Sequence, residues 1–413
     1  MTEGTADVDT AAESRAGQSA ETADPAFAHP TPLSAHYTYF DVANRLLLTG
    51  HSHQAWPDVA FEGQKRAWLD AAAMADGKWG AVSEKVTRVA SGYRELMGGC
   101  TGDMTLETNT HSLVVRFLSA LPLRERPRVV TTDGEFHSIR RQLDRLAEEG
   151  LEVVKVAAKP VDTLAERMSE AVDDRTACVM VSSVLFATGL IVPDLSTLVD
   201  ACRRHGAEVL IDSYHSLGAV PFSLEGMESA FVVGGGYKYL QLGEGNCVLR
   251  VPPGCDMRPV VTGWFAEFAD LADERVPGEV RYGVGAARFA GSTYDPASPY
   301  RAAAVMDFFA EQGLTPERLR EISQHQVGLL CEAFLSLDLD PRVARLESDV
   351  PLAHRGGFLA LECEDAGGLF QALLDRGVRT DYRANVLRFG PAPYLSDRQL
   401  RDAVAALGEI TRG

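Results

Sequence analysis

The chain has 413 residues, with 46% hydrophobic and 24% charged, the composition of a water-soluble globular protein large enough for two domains. A formal net charge of −18 excludes an extended nucleic-acid surface, and no apolar run approaches the roughly 18 residues of a membrane span. The seven cysteines are scattered without a CxxC pair, which fits reduced thiols in a cytoplasmic protein better than disulfides or a zinc site.

The first 35 residues are acidic and rich in small side chains, and are expected to form a disordered tail. NRLLLTG (44–50) reads as a short strand, and residues 58–75 and 83–97 have helical spacing. An alternating series follows. Helix-like SLVVRFLSAL (112–121) precedes strand-like RVVTTD (128–133), and helix-like SIRRQLDRLAEEG (138–150) precedes strand-like EVVKVA (152–157). TLAERMSEAVDD (163–174) reads as a helix before the apolar run ACVMVSSV (177–184), and LSTLVDACRRHG (195–206) as a helix before EVLIDS (208–213). FVVGGG (231–236) and NCVLRV (246–251) close the series. Short apolar strands alternating with helices predict an α/β fold with a largely parallel, buried sheet. Beyond residue 297 the pattern becomes α+β, with GFLALEC (357–363) and NVLRFGP (385–391) as strands. The expected division is a large domain over 36–290 and a smaller one over 291–413, with 36–60 packing against the latter.

EVLID ends at Asp212, and FVVGGG runs into Lys238. Parallel strands end on one edge of a sheet, where ligands bind, so topology alone brings these two residues together. Three readings are open: a structural ion pair, a phosphate site with an acidic partner, or a Schiff-base lysine holding pyridoxal phosphate with the aspartate on the pyridinium nitrogen. The surroundings favour the third. His215 lies three residues beyond Asp212, the glycines at 234–236 let backbone approach a planar ligand, and Tyr237 can donate to a phosphate. His51 and His53 in TGHSHQAW have the spacing of a metal pair, but no third ligand is evident, and a substrate-pocket loop is the favoured reading. Each has a plainer reading: Phe136 and Trp264 as packing residues, Tyr237 as a backbone partner and Arg388 as a surface arginine, although a guanidinium beside PAP in a buried-looking strand is best used as a bidentate carboxylate clamp.

DSYHSLGAVPF followed by GGGYKYLQLGEGNCVLRV resembles the cofactor core of fold-type I pyridoxal-phosphate enzymes, and most closely the kynureninase-like members of the class V aminotransferase group. The resemblance runs in order from about residue 44 to 408. It implies a seven-stranded-type sheet and the cofactor pyridoxal 5'-phosphate on Lys238, with Asp212 and His215 at the ring and Phe136 stacked on it. It also implies Tyr237, Thr110 and His111 at the phosphate, and Trp264 and Thr293 contributed near cofactor and substrate, with the GST loop (291–293) reaching a neighbouring subunit of a homodimer. Arg388 matches the arginine that holds the α-carboxylate of a small amino-acid substrate. The implied reaction is hydrolysis at Cβ–Cγ, with Lys238 as base at Cα; transamination and Cβ–S cleavage use the same residues. A degenerate member with a binding role is the non-enzyme alternative, which retention of Lys238, Asp212 and Arg388 disfavours. Three departures fall at the pocket. GHSHQ (50–54) replaces a glycine-bounded loop, Ile139 stands where a second acidic residue is usual, and Thr293 replaces an asparagine. His51, His53, Trp264 and Thr293 are therefore expected to shape the side-chain end of the pocket.

Overall fold

A computed structural model of the protein describes residues 24–274 and 276–412. Seven strands form the large sheet: β1 (Asp103–Glu107), β2 (Arg128–Thr132), β3 (Glu152–Val156), β4 (Thr176–Ser182), β5 (Glu208–Asp212), β6 (Phe231–Gly234) and β7 (Cys247–Val251). Their spatial order is β1-β7-β6-β5-β4-β2-β3. β7 runs antiparallel to both neighbours, and the other pairings are parallel. The mainly parallel α/β sheet expected from the alternating pattern is therefore present.

Alternate side chains of the central strands serve two separate cores, as the two-residue period of a strand requires. Met180, Leu210 and Phe231 face α3 (Thr110–Ala120) and α4 (His137–Glu148), packing with Val114, Phe117 and Leu143. Val179, Val181, Ile211 and Val232 face the side of α5 (Leu164–Glu170) and α6 (Leu195–Arg204), with Met168, Leu198 and Cys202. Each such aliphatic side chain contributes about 1.5–3 kcal/mol relative to exposure. Covered on both faces, β4 is buried at all seven positions, and for that reason its sequence is a continuous apolar run rather than an alternating one.

The C-terminal part is an antiparallel sheet of β8 (Ala344–Leu346), β9 (Leu359–Cys363), β10 (Asp381–Arg383) and β11 (Val386–Phe389) in the order β8-β9-β11-β10. Three helices belong to this part: α8 (Pro316–Leu335), α9 (Ala366–Asp375) and α10 (Asp397–Arg412). The segment Leu46–Leu47 pairs in parallel with Val378–Arg379, and Gly50 and Gly390 continue the lacing through backbone hydrogen bonds. Residues 46–50 thus pack on the C-terminal sheet. α7 (Ala297–Glu311), on the far side of the expected boundary, packs on α1 (Asp58–Met74) and α2 (Trp79–Leu96).

Of the tail expected to be disordered, residues 1–23 lie outside the described residues. Residues 24–36 form short 3-10 turns docked on the C-terminal part, where Phe27 stacks on His325 at 3.7 Å and Thr31 donates to the Tyr394 carbonyl. Among the described residues no helix is long and apolar enough to cross a membrane, and no cluster of three or more potential metal ligands occurs.

Candidate active site

The ends of β2, β4, β5 and β6 meet at one edge of the large sheet. The strand register aligns Ser182 with Asp212, and Asp212 with Val233. Over this edge lies a cavity of about 370 Å³. Its floor carries Ser182, Asp212, Tyr214, His215, Tyr237 and Lys238; one wall carries Phe136 and Phe186, and the other the start of α3 from Thr108 to His111. Lys238, Asp212, His215, Tyr237, Phe136, Thr110 and His111 are thereby brought together. The glycines before Lys238 also have a reason inside the fold itself. A Cβ on Gly235 would lie 2.2 Å from the Tyr214 hydroxyl, and one on Gly236 2.4 Å from Leu242, so they let the chain pass its own side chains.

Lys238 is only 5% exposed. Its Nζ bonds His215 Nε2 at 2.8 Å rather than a carboxylate, and it lies over the rings of Tyr214 at 4.5 Å and Phe136 at 5.1 Å. Burial drives its pKa down to about 7, against the pull of the Asp212 charge. Burial also pushes the Asp212 carboxyl up, opposed by the bond its Oδ1 accepts from the Tyr214 amide at 2.8 Å and by the Lys238 charge. His215 is held neutral, its pKa far below the usual value through burial and the neighbouring amine, and its Nδ1 is buried without a partner.

These features fit pyridoxal phosphate. A pKa of about 7 leaves a large share of the amine neutral at physiological pH, as imine formation requires, and the Asp212 carboxylate lines the cavity. The orphaned imidazole nitrogen lacks a partner that a ligand oxygen would supply. The first turn of α3 offers backbone amides to an anion. There Asn109 caps the helix by accepting from the Ser112 amide, while Thr110 Oγ1 lies 3.6 Å from Cys247 Sγ. Phe136 meets Phe186 edge-to-face at 5.4 Å.

Arg388 is 2% exposed and held by a side-on pair of bonds to Asp381, Nε to Oδ1 at 2.7 Å and Nη2 to Oδ2 at 2.6 Å. Its Nη1 donates to the carbonyl of Phe186, which places the guanidinium beside the cavity wall. Asp381 also accepts from His51 Nε2 at 2.8 Å. Burial alone would raise the Asp381 carboxyl, but His51 and Arg388 hold it well below the usual carboxylate range. His51 is fully buried and its ring lies tilted against Phe358 at 4.6 Å; burial brings its pKa down to about 4, so it stays neutral. A Cβ on Gly390 would lie 2.0 Å from His51 Nδ1, so glycine is required for this approach. His51 is thus spent on Asp381, whereas His53 is exposed and stacks on Tyr237 at 5.1 Å. Trp264 is 43% exposed and lines a separate groove with Glu267 and Arg281, and Thr293 is exposed. Neither reaches this chain's own cavity. Ile139 lies in the core of α4 with no exposure.

Sequence reasoning missed Ser182, Tyr214, Phe186, Asp381 and Glu135. Tyr214 lay inside DSYHS and Asp381 across a hairpin from Arg388, so both were within reach. Glu135 carried no signal.

A family profile described as aminotransferase class V matches residues 107–322, and one described as the kynureninase C-terminal domain matches residues 319–407. The kynureninase of Pseudomonas fluorescens is 30% identical over 353 residues, covering 80% of this chain and 79% of that protein. The kynureninase of Burkholderia pseudomallei (strain 1106a) is 29% identical over 372 residues, covering 84% and 82%. Among solved structures, the cystine C–S lyase C-DES in complex with cysteine persulfide superposes with a TM-score of 0.78 at 17% identity, over 89% of this chain and 98% of that one. A cysteine desulfurase of Thermococcus onnurineus NA1 gives 0.78 at 16% identity, over 94% and 99%. The structural likeness establishes a fold-type I architecture, and the sequence matches span both the sheet that carries Lys238 and the C-terminal sheet that carries Arg388. By these matches the chain belongs to the kynureninase family, within the pyridoxal-phosphate-dependent enzymes of aminotransferase class V.

Proposed function

We propose that the protein hydrolyses the Cβ–Cγ bond of an α-amino acid with a γ-carbonyl group, releasing alanine and a carboxylic acid. One water is consumed: its hydroxyl ends on the acyl carbon, and a proton ends on Cβ. The observation that carries this reading is the convergence of Lys238, Asp212 and His215 at one cavity, with Arg388 bonded to the carbonyl of the wall residue Phe186, in a chain related to kynureninases along most of its length.

Bound at Lys238, pyridoxal phosphate supplies an electron sink for a carbanion at Cα. Asp212 would face the ring nitrogen and keep it protonated, the Tyr214 amide and the Lys238 charge opposing the burial that raises its carboxyl pKa. Lys238, with a pKa near 7, takes the proton from Cα and returns protons later in the cycle. Tyr237 and the first turn of α3 hold the phosphate. Arg388 receives the substrate α-carboxylate on the end-on face of its guanidinium, because Asp381 occupies the side-on face and fixes its plane. His53, at the rim over Tyr237, contributes to side-chain selection. Cys247 lines the cavity, but burial raises its thiol pKa and it is held in a strand, which disfavours a persulfide role.

The active form is a homodimer in the cytoplasm, with Trp264 and Thr293 contributed across the interface. Support comes from the exposed apolar side chains Val260, Trp264, Phe268 and Val284, and from seven free cysteines suited to a reducing compartment. Borohydride reduction of the holoenzyme followed by peptide mapping tests the attachment site. The pyridoxyl group is expected on Lys238, and a label on another lysine would overturn the assignment.

A further inference from the structure

Glu135 is a buried carboxyl that the reaction above does not use. It sits in the turn between β2 and α4 and is 1% exposed. It accepts hydrogen bonds from Thr132 Oγ1 at 2.7 Å, from the Ser182 amide at 3.1 Å and from the Ser182 hydroxyl at 2.6 Å. Ser182 lines the cavity and is the register partner of Asp212 across β4 and β5. Glu135 thus bonds the Ser182 hydroxyl directly, and Asp212 stands at the same register on the next strand. Burial raises the Glu135 pKa to about 7, and the Asp212 charge pushes it the same way.

A purely structural role is the plain alternative, since Glu135 ties the turn that carries Phe136 to the end of β4. Glutamine would keep the two bonds accepted at one oxygen, from Thr132 and the Ser182 amide, while its NH2 would donate to the Ser182 hydroxyl, so the tie between turn and strand survives without a charge. A carboxyl buried without a basic partner costs stability that an amide does not. Asp133, its neighbour in the turn, accepts from the Ala158 amide at 2.7 Å instead of facing the cavity. The ionisable groups on this side of the site are Asp212, with Lys238 and His215 beyond it.

We propose that Glu135 is a second carboxyl serving the ring-nitrogen end of the cofactor site, a positioning residue that acts through the Ser182 hydroxyl on the charge balance around Asp212. The inference rests on Asp212 being the ring-nitrogen partner. While ionised, Glu135 accepts the Ser182 proton and adds negative charge behind Asp212, which favours a protonated ring. When protonated, it donates to Ser182, and the Ser182 hydroxyl proton is free to turn toward the cavity.

The test is the pH midpoint of the visible absorbance band of the bound cofactor, measured in wild type, Glu135→Gln, Ser182→Ala, the double variant and Asp212→Asn. Glu135→Gln is expected to bind cofactor and to move the midpoint to lower pH by roughly 0.5 unit or more, the effect of one nearby charge. Ser182→Ala should move it in the same direction, and the double variant no further than the larger single shift. An unchanged midpoint in Glu135→Gln, with a changed one in Asp212→Asn, overturns this inference and leaves Asp212 in its role. An unchanged midpoint in Asp212→Asn overturns both. Additive shifts in the double variant overturn the route through Ser182. Should Glu135→Gln fail to fold, Ser182→Ala decides, and an unmoved midpoint there is fatal to the proposal.

Discussion

An amine buried against aromatic rings and a neutral imidazole destabilises the free protein, and Lys238 is such an amine. Its folded pKa lies below its unfolded value, so the folded state binds fewer protons between about pH 7 and 10.5, and stability rises with pH across that window. Lys238→Met is therefore expected to stabilise the cofactor-free protein by ~1–3 kcal/mol, with a larger gain at pH 6 than at pH 9. Thermal melts at the two pH values check this; an equal gain at both would contradict the depressed pKa. In the cofactor-free wild type, acylation of Lys238 should have a midpoint near pH 7, while surface lysines react only at more alkaline pH. Asp212, His215 and Lys238 were legible in the sequence because each lies in a short motif whose order matches its place on the sheet edge. Glu135 was not. A single acidic residue in a turn reads as solvated, and only the fold shows that Glu135 is buried.

The hairpin of β10 and β11 is the element that presents the substrate arginine. Asp381 and Arg388 are directly opposed across the ladder, so the orientation of the guanidinium follows from the strand register. Arg388→Ala should weaken amino-acid binding by about 2–5 kcal/mol, the loss typical of a buried charge-assisted pair, while leaving cofactor bound. Asp381→Asn removes a charge-assisted bond worth ~1.5–3 kcal/mol and should raise KM about tenfold or more with a smaller change in kcat. Steady-state kinetics and cofactor absorbance check both, and an unchanged KM in either variant would remove the carboxylate clamp from β11. At this scale the sequence was readable where burial on both faces produced apolar runs, as in β4 and β5. It was unreadable at β1, DMTLE, where only Thr105 and Leu106 are buried and the strand depends on pairing with β7. Likewise the docking of residues 24–36 depends on single contacts such as Phe27 on His325, which no periodicity encodes.

Over the whole molecule, Val260, Trp264, Phe268 and Val284 are large apolar side chains left exposed along one segment, and a second copy is the occupant proposed for them. Sedimentation should give a dimer, and Trp264→Ser with Phe268→Ser should weaken it and lower activity together. A fully active monomer would contradict shared sites. The central claim concerns the bond that is broken. Holoenzyme incubated with L-kynurenine and its 3-hydroxy form should yield alanine and the matching aromatic acid in equal amounts, identified by mass, with one oxygen of the acid labelled when the reaction runs in ¹⁸O water. If neither substrate gives alanine while another amino acid is consumed, the Cβ–Cγ hydrolysis assigned to this site is wrong.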